Sequence, residues 1–298
     1  MTNAKKLNLF KIFLILIPFA FLFVNCNKNT DDKMTDIKYG KHKNQKLDIS
    51  LPSDITDNHE IPIILCIHGG SWNGGDKSNF DYLKDNINNY GYAYVSINYR
   101  LIEDNATFDD MLDDIHSAIT FLKKNREKYH LKIDKMGIIG SSAGAHLALL
   151  YSYKMQSDIK IAVVSSQVGP SDFCDPSFIS EENIWILDAM NKLTGTNLTA
   201  NQIFNLDFQY PDAWSFSSPI HYVNSNVPPT ILAYGMIDEL VPYSNATRLD
   251  EKLIQFGVPH KLIAFPNSGH SLSNDSEKTN EYYSTLIEYL DIYLPKDI

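Results

Sequence analysis

The sequence predicts an α/β fold, a mostly parallel sheet with helices on both faces. Three observations predict it. Short runs that are apolar throughout, rather than alternating, recur along the chain, as in strands buried on both faces. Stretches with helical apolar spacing separate them, and strand-helix-strand repeats of this kind build parallel sheets. The chain has 298 residues, 44% hydrophobic and 21% charged, which is ordinary for a globular protein and enough for one large domain.

The first residues read as an address rather than as part of that fold. Lys5, Lys6 and Lys11 precede an unbroken apolar run from Ile12 to Val24. Its length suits the core of a signal peptide, ~7–15 residues, and falls short of the ~20 needed to span a bilayer. Phe23-Val24-Asn25-Cys26 follows at once. It resembles a bacterial lipoprotein signal, in which Cys26 is lipidated and becomes the first residue, although Phe23 and Asn25 are not the usual residues there. Residues 1–25 are therefore expected to be a signal segment and 26–36 a polar tether, with secretion without lipid as the alternative. The folded domain is expected over 37–298.

Within that domain the elements follow in order. Residues 37–51 suit a hairpin, antiparallel at a sheet edge. Ile61 to Ile67 is an apolar strand ending in His68-Gly69-Gly70. A helix is expected over 79–89, a strand over 92–97, and a helix from Phe108 to Tyr129 with apolar residues at 108, 111, 112, 115, 118, 119 and 122. Strands at 135–139, 159–164, 229–234 and 261–265 alternate with helices at 143–153, 244–255 and 277–294. The stretch 169–219 breaks the rhythm. It carries Phe173, Phe178, Trp185 and Trp214 between polar segments. It reads as an insertion over the carboxyl edge of the sheet, expected to line a pocket for a modest apolar or aryl group.

Composition excludes several classes. Three cysteines cannot build a disulfide scaffold. Cys66 lies in a strand-like run and reads as a buried thiol; a bridge to Cys174 would need a proximity that sequence does not give. No cluster of His, Cys, Asp and Glu has metal-ligand spacing. The formal net charge is -10, with no basic cluster beyond the N-terminus, which argues against a nucleic-acid partner.

The chemistry concentrates at Gly140-Ser141-Ser142-Ala143-Gly144. This fits G-x-S-x-G between an expected strand and an expected helix, the context of a nucleophile elbow; a strand-to-helix turn with a capping serine is the plainer alternative. A serine hydroxyl needs a base, and the base an orienting acid. In chain order such folds supply Ser, then Asp or Glu, then His. Asp238 follows the strand ending near Tyr234, and His270 follows the next strand. Both then fall in loops at the carboxyl edge of the sheet, where open α/β sheets bind ligands. Glu239 adjoins Asp238, and His146 lies one turn past Ser142; the first is expected to point elsewhere and the second to pack beneath the elbow. His221 and His260 have no partner acid in a suitable loop, His116 and His130 fall on or at the end of a helix, and His42 and His59 lie in early polar segments. Acyl transfer also needs preorganised N–H donors for its oxyanion. Gly69, Gly70 and Ser71 after the first long strand offer them, with the N–H of Ala143 beside the nucleophile.

Together these pieces resemble an α/β-hydrolase of the esterase/lipase group with an HGG-type oxyanion loop. That group includes hormone-sensitive-lipase-like carboxylesterases, kynurenine formamidase-like enzymes and BD-FAE-like esterases. The matching segments are His68-Gly-Gly-Ser-Trp72 with Gly75-Asp-Lys77, Asn98-Tyr-Arg-Leu101, Gly140 to Gly144 with His146, Ser218-Pro219, Gly235 to Asp238 with Val241-Pro242, and Gly269-His270. Ser71 departs from a third glycine or a tyrosine, and Asn98 from an aspartate. The resemblance implies a serine hydrolase without metal or cofactor, with Ser142 as nucleophile, His270 as base, Asp238 as orienting acid and loop amides holding the oxyanion. The rate is then expected to fall as His270 takes up a proton. The implied substrates are small carboxylic esters, and an envelope address would suit acetyl or aryl esters, including acetylated carbohydrates. An arylformamidase or a peptidase would use the same constellation, and a binding protein on this scaffold would need none of it.

Overall fold

The computed structural model describes residues 34–53, 60–155, 159–181, 183–205 and 207–296. The expected signal segment, Cys26 and most of the expected tether lie outside these residues. Among the described residues no helix is long and apolar enough to cross a membrane.

Eight strands form one sheet. In chain order they are β1 (Ile37–Lys38), β2 (Lys46–Ser50), β3 (Ile61–Ile67), β4 (Ala93–Ile97), β5 (Leu131–Ser141), β6 (Lys160–Gln167), β7 (Thr230–Gly235) and β8 (His260–Phe265). Their order across the sheet is β1-β2-β4-β3-β5-β6-β7-β8. The β1/β2 and β2/β4 pairs are antiparallel, and every later pair is parallel. The early hairpin therefore sits at the sheet edge, as expected.

The helices are α1 (Asp81–Asn89), α2 (Phe108–Lys124), α3 (Ala143–Lys154), α4 (Ile186–Thr194), α5 (Ala200–Ile203), α6 (Asp212–Phe216), α7 (Tyr243–Gln255) and α8 (Ser276–Tyr293). Apolar strands supply both layers of core, because successive side chains point to opposite faces. Along β3, Ile63, Leu65 and Ile67 join the cluster that includes Met111, Ile115 and Leu147 of α2 and α3. Ile64 and Cys66 join the opposite cluster, with Leu83 and Ile87 of α1 and Leu286 and Leu290 of α8. Each such side chain stabilises the fold by ~1.5–3 kcal/mol when fully buried.

Several boundaries differ from the sequence expectation. The strand expected to open at Lys135 begins at Leu131, because Leu131 and Lys132 already pair with Ile61 and Pro62 before an irregularity at Pro62/Ile63. Lys132, Asp134 and Lys135 hide this extension from an apolar pattern. The helix expected to reach Tyr129 stops at Lys124, and the chain turns through His130 in the left-handed region (φ 54°). The first expected helix is split. A short 3₁₀ turn at Lys77–Phe80, capped by the Asp76 side chain, precedes α1.

Residues 169–219 follow β6 at the carboxyl end of the sheet and hold α4, α5 and α6. Phe173, Phe178 and Trp214 are completely buried, whereas Trp185 is largely exposed. The insertion thus joins the main core. Cys66 and Cys174 are both free thiols. Burial pushes the Cys66 thiol up, and burial with the Asp172 charge pushes Cys174 up to about 11, so neither is a reactive thiolate.

Candidate functional site

Ser142 stands between β5 and α3 with φ 52° and ψ -123°, a conformation that non-glycine residues rarely adopt. Its N–H donates to the Gln167 carbonyl at 2.8 Å, and its carbonyl accepts from His146 in the first turn of α3. The elbow is possible because α3 comes very close to β3. A Cβ at Gly144 would lie 2.0 Å from the Ile67 carbonyl oxygen and 2.3 Å from that of His68. Only glycine fits there.

The turn carries the Ser142 hydroxyl to a histidine from the far side of the sheet. His270 Nε2 lies 2.8 Å from Ser142 Oγ, and His270 Nδ1 lies 2.8 Å from Asp238 Oδ2. The ionised carboxylate only accepts, so Nδ1 carries the proton and Nε2 is left to accept from the serine. The second oxygen of Asp238 is also fixed. Its Oδ1 accepts the backbone N–H groups of Leu240 and Val241 at 2.8 and 3.0 Å. The Asp238 side chain is fully buried, whereas a quarter of the His270 side chain is open to solvent. Glu239 is exposed and takes no part in this chain of bonds.

The loop after β3 closes over the nucleophile. Gly70 has φ 114°, followed by Ser71 and Trp72 in the left-handed region at 51° and 59°. The N–H groups of Asn73 and Gly74 both donate to the Gly70 carbonyl at 3.0 Å, which pins the turn. Among the described residues none accepts from the amides of Gly69, Gly70, Ser71 or Ala143. Unpaired N–H groups beside a nucleophile are the donors an oxyanion requires.

Buried aromatic rings brace this loop from below. The His68 ring stacks on Tyr99 at 4.5 Å between centroids, and the Tyr99 hydroxyl donates to the His68 carbonyl at 2.8 Å. Burial holds His68 below the ordinary imidazole range, partly offset by a hydrogen bond to the Gly69 carbonyl. The Trp72 indole N–H donates to His146 Nδ1 at 3.2 Å, and His146 Nε2 lies 2.7 Å from the Ser217 carbonyl. Burial pushes His146 down to about 4 against that carbonyl's opposing pull. Both of its nitrogens are engaged, so it packs beneath the elbow rather than serving Ser142. Ser217 and Phe173, which meets the rings of both Trp72 and His146, come from the 169–219 insertion.

A polar network anchors the loop's far end. Asn98 Nδ2 donates to Asp76 Oδ2 at 2.8 Å, and Asn98 Oδ1 accepts from the Lys77 N–H at 2.6 Å. An aspartate at 98 could not donate to Asp76, which accounts for the asparagine. Burial would raise the Asp76 carboxyl, but the bonds from Asn98 and Ser78 and the Lys77 charge outweigh it and hold the group at about 2.

Two cavities flank the serine. One, of about 360 Å³, has walls that include Gly70, Ser71, Asn79, Phe80, Ser142 and Leu240. The other, of about 380 Å³, has walls that include Gln167, Val168, Leu272, Thr279, Tyr282 and Tyr283. Neither is lined by residues 169–219, contrary to the sequence expectation. Of the insertion's aromatics Phe173 packs against Trp72 and His146, and the cavity walls come from the loop after β3, α1, the end of β6, the His270 loop and α8. Tyr82, Gln167 and Leu240 are site residues that pattern reading missed. Tyr82 fell inside the helix expected over 79–89, and Gln167 beyond the end of the strand expected over 159–164. Among the described residues no group of His, Cys, Asp and Glu could hold a metal ion.

The BD-FAE family model matches residues 47–253. Esterase LipQ of Mycobacterium tuberculosis is 26% identical over 245 residues, 80% of this chain and 56% of its own length. The chain spans about half the length of the curated relatives it matches. Among solved structures, the bifunctional GH43-CE protein of Bacteroides eggerthii superposes with a TM-score of 0.71 at 23% identity, over 89% of this chain and 36% of that one. The propionate-bound esterase Est2 of Thermogutta terrifontis gives 0.67 at 18% identity, over 85% and 91%.

Proposed function

The chain belongs to the BD-FAE family and has the α/β-hydrolase fold, and from that premise we propose that it is a serine hydrolase of carboxylic esters. The observation that carries the reading is the continuous bonded chain from Ser142 through His270 to Asp238. Ser142 Oγ attacks the acyl carbon while His270 Nε2 takes its proton. The charge developing on the carbonyl oxygen falls to the amides of Ala143 and the Gly69 to Ser71 loop. The tetrahedral intermediate collapses, and His270 returns the proton to the departing alkoxide. Water, deprotonated by the same imidazole, then attacks the acyl-enzyme and releases the carboxylic acid. Asp238 holds the imidazole tautomer through both halves.

The substrates proposed are small esters with short acyl or aryl groups, including acetylated carbohydrates. The volumes of the two cavities support that scale. The test is hydrolysis of p-nitrophenyl esters from acetate to octanoate by the full chain. Activity that drops at least ~10³-fold in Ser142→Ala is the expected result. Turnover of N-formylkynurenine or peptide amides with no ester turnover would replace the ester reading with an amidase one. A folded chain silent on all of them would favour a binding protein.

We further propose that the protein sits in a bacterial envelope, anchored by lipid at Cys26. The support is the basic start, the apolar run to Val24 and the polar stretch after Cys26. A single acyl chain binds membranes only marginally, so a stable anchor needs more than one. Expressed in a bacterium, the wild-type chain should partition with membranes and incorporate labelled palmitate. Cys26→Ser should do neither, and a wild-type chain found wholly in the soluble fraction would end the proposal.

A further inference from the structure

The two cavities beside Ser142 share three residues: Tyr82, Ser141 and His270. Ser141 and His270 belong to the catalytic floor, fixed by the elbow and by Asp238. Tyr82 does not. It is the second residue of α1, on the opposite bank of the site, and 58% of it is exposed. A large ring so exposed contributes little to the core. It is nonetheless placed, because it stacks on Phe80 with centroids 6.0 Å apart and planes 18° from parallel. Phe80 is 2% exposed and packed into the core, so the tyrosine ring has a fixed support.

The chemistry assigns the two compartments different halves of the ester. After attack the acyl carbon is bonded to Ser142 Oγ and its oxygen points at the loop amides. Ser142, Gly69, Gly70 and Ser71 all border the first cavity and not the second. An acyl chain held this way would extend toward Asn79, Phe80 and Leu240. The leaving oxygen takes its proton from His270, which borders both. The alcohol half then lies beyond His270, among Gln167, Ser271, Thr279 and the tyrosines at 282 and 283. That second compartment is rigidly built. The Tyr282 hydroxyl lies 2.7 Å from Ser165 Oγ and accepts from Gln167 Nε2 at 2.9 Å.

We propose that Tyr82 is the partition between these compartments and sets the size limit of the acyl group, an inference that rests on the esterase reading above. It is a specificity-determining residue, and its ring rather than its hydroxyl performs the separation. Cutting the ring away merges the two spaces and lets a longer acyl chain cross into the second.

The test compares kcat/KM for p-nitrophenyl octanoate with that for p-nitrophenyl acetate in wild type, Tyr82→Ala and Tyr82→Phe. Taking this ratio cancels any general loss of activity. The expected result is a rise of roughly 10-fold in Tyr82→Ala, the scale at which a hydrophobic pocket discriminates by one or a few methylenes. Tyr82→Phe should keep the wild-type ratio. A ratio in Tyr82→Ala that is unchanged or lower, with wild-type ester turnover intact and dependent on Ser142, overturns the partition and leaves the esterase reading standing. A ratio that moves equally in Tyr82→Phe overturns the role given to the ring. Wild type that turns over no ester removes the esterase reading, and the partition with it.

Discussion

His146 shows how one side chain can be read from its surroundings. It is completely buried, accepts from Trp72 on one nitrogen and meets the Ser217 carbonyl with the other. That arrangement needs a neutral imidazole, and burial accordingly holds the folded-state value at about 4, below the ordinary 6.5. The sign follows by linkage. Above the ordinary value neither folded nor unfolded chain carries the proton. As pH falls from there towards about 4 the unfolded chain takes it up and the folded chain refuses it, so stability drops at up to roughly 1.4 kcal/mol per pH unit. Below about 4 the folded chain binds it too and this contribution levels off. His146→Gln should therefore lose less melting temperature than wild type between about pH 7 and pH 4.5. Equal losses in the two proteins would show that another group governs that range. From sequence His146 was expected to pack beneath the elbow, as it does; the partners that hold it there lie more than 70 residues away in the chain, beyond the reach of local spacing.

At the scale of elements, the turn that carries His270 is held by a carboxylate outside the catalytic three. Asp275 precedes α8 but turns its side chain back instead of capping the helix. It accepts from the Asn267 N–H at 3.0 Å, from Asn267 Nδ2 at 2.8 Å and from Ser268 Oγ at 2.6 Å. The Asn274 N–H completes the clamp by donating to Ser268 Oγ at 3.0 Å. Asp275→Ala should lower kcat by roughly 10-fold with little change in KM, because misplacing a base hurts the transition state more than the bound substrate. Asp275→Asn keeps one acceptor and should recover part of the rate. A change confined to KM would deny the residue this positioning role. The strands and helices around this turn were legible as apolar runs and helical periods because burial writes them into the sequence. The clamp was not, since Asn-Ser-Gly-His-Ser-Leu-Ser-Asn-Asp reads as any polar loop. The polar ends of β5 and β6 were missed for a related reason. Lys132 and Gln167 lie within strands whose pairing, rather than whose hydrophobicity, sets their length.

Across the whole molecule, the parallel sheet and the chain order Ser, Asp, His were legible together. Ser142, Asp238 and His270 each follow a strand at the same edge, so reading the strands located the candidate site. What lines the site was not legible. Phe173, Phe178 and Trp214 of 169–219 looked like pocket walls in sequence and are core in the structure, because an apolar ring is equally at home in either place. Deciding between them takes the neighbours, here Trp72 and His146 for Phe173, and Thr196 and Tyr210 for Trp214.

The span between nucleophile and base also has a meaning in time. His270 lies 128 residues after Ser142, and it reaches the serine only once β6, β7 and β8 have been laid down in turn on the growing edge of the sheet. A polypeptide leaving the ribosome therefore displays its serine long before it can use it. If Ser142 and His270 act together as proposed, a chain cut short before β8 would carry the serine without its partner.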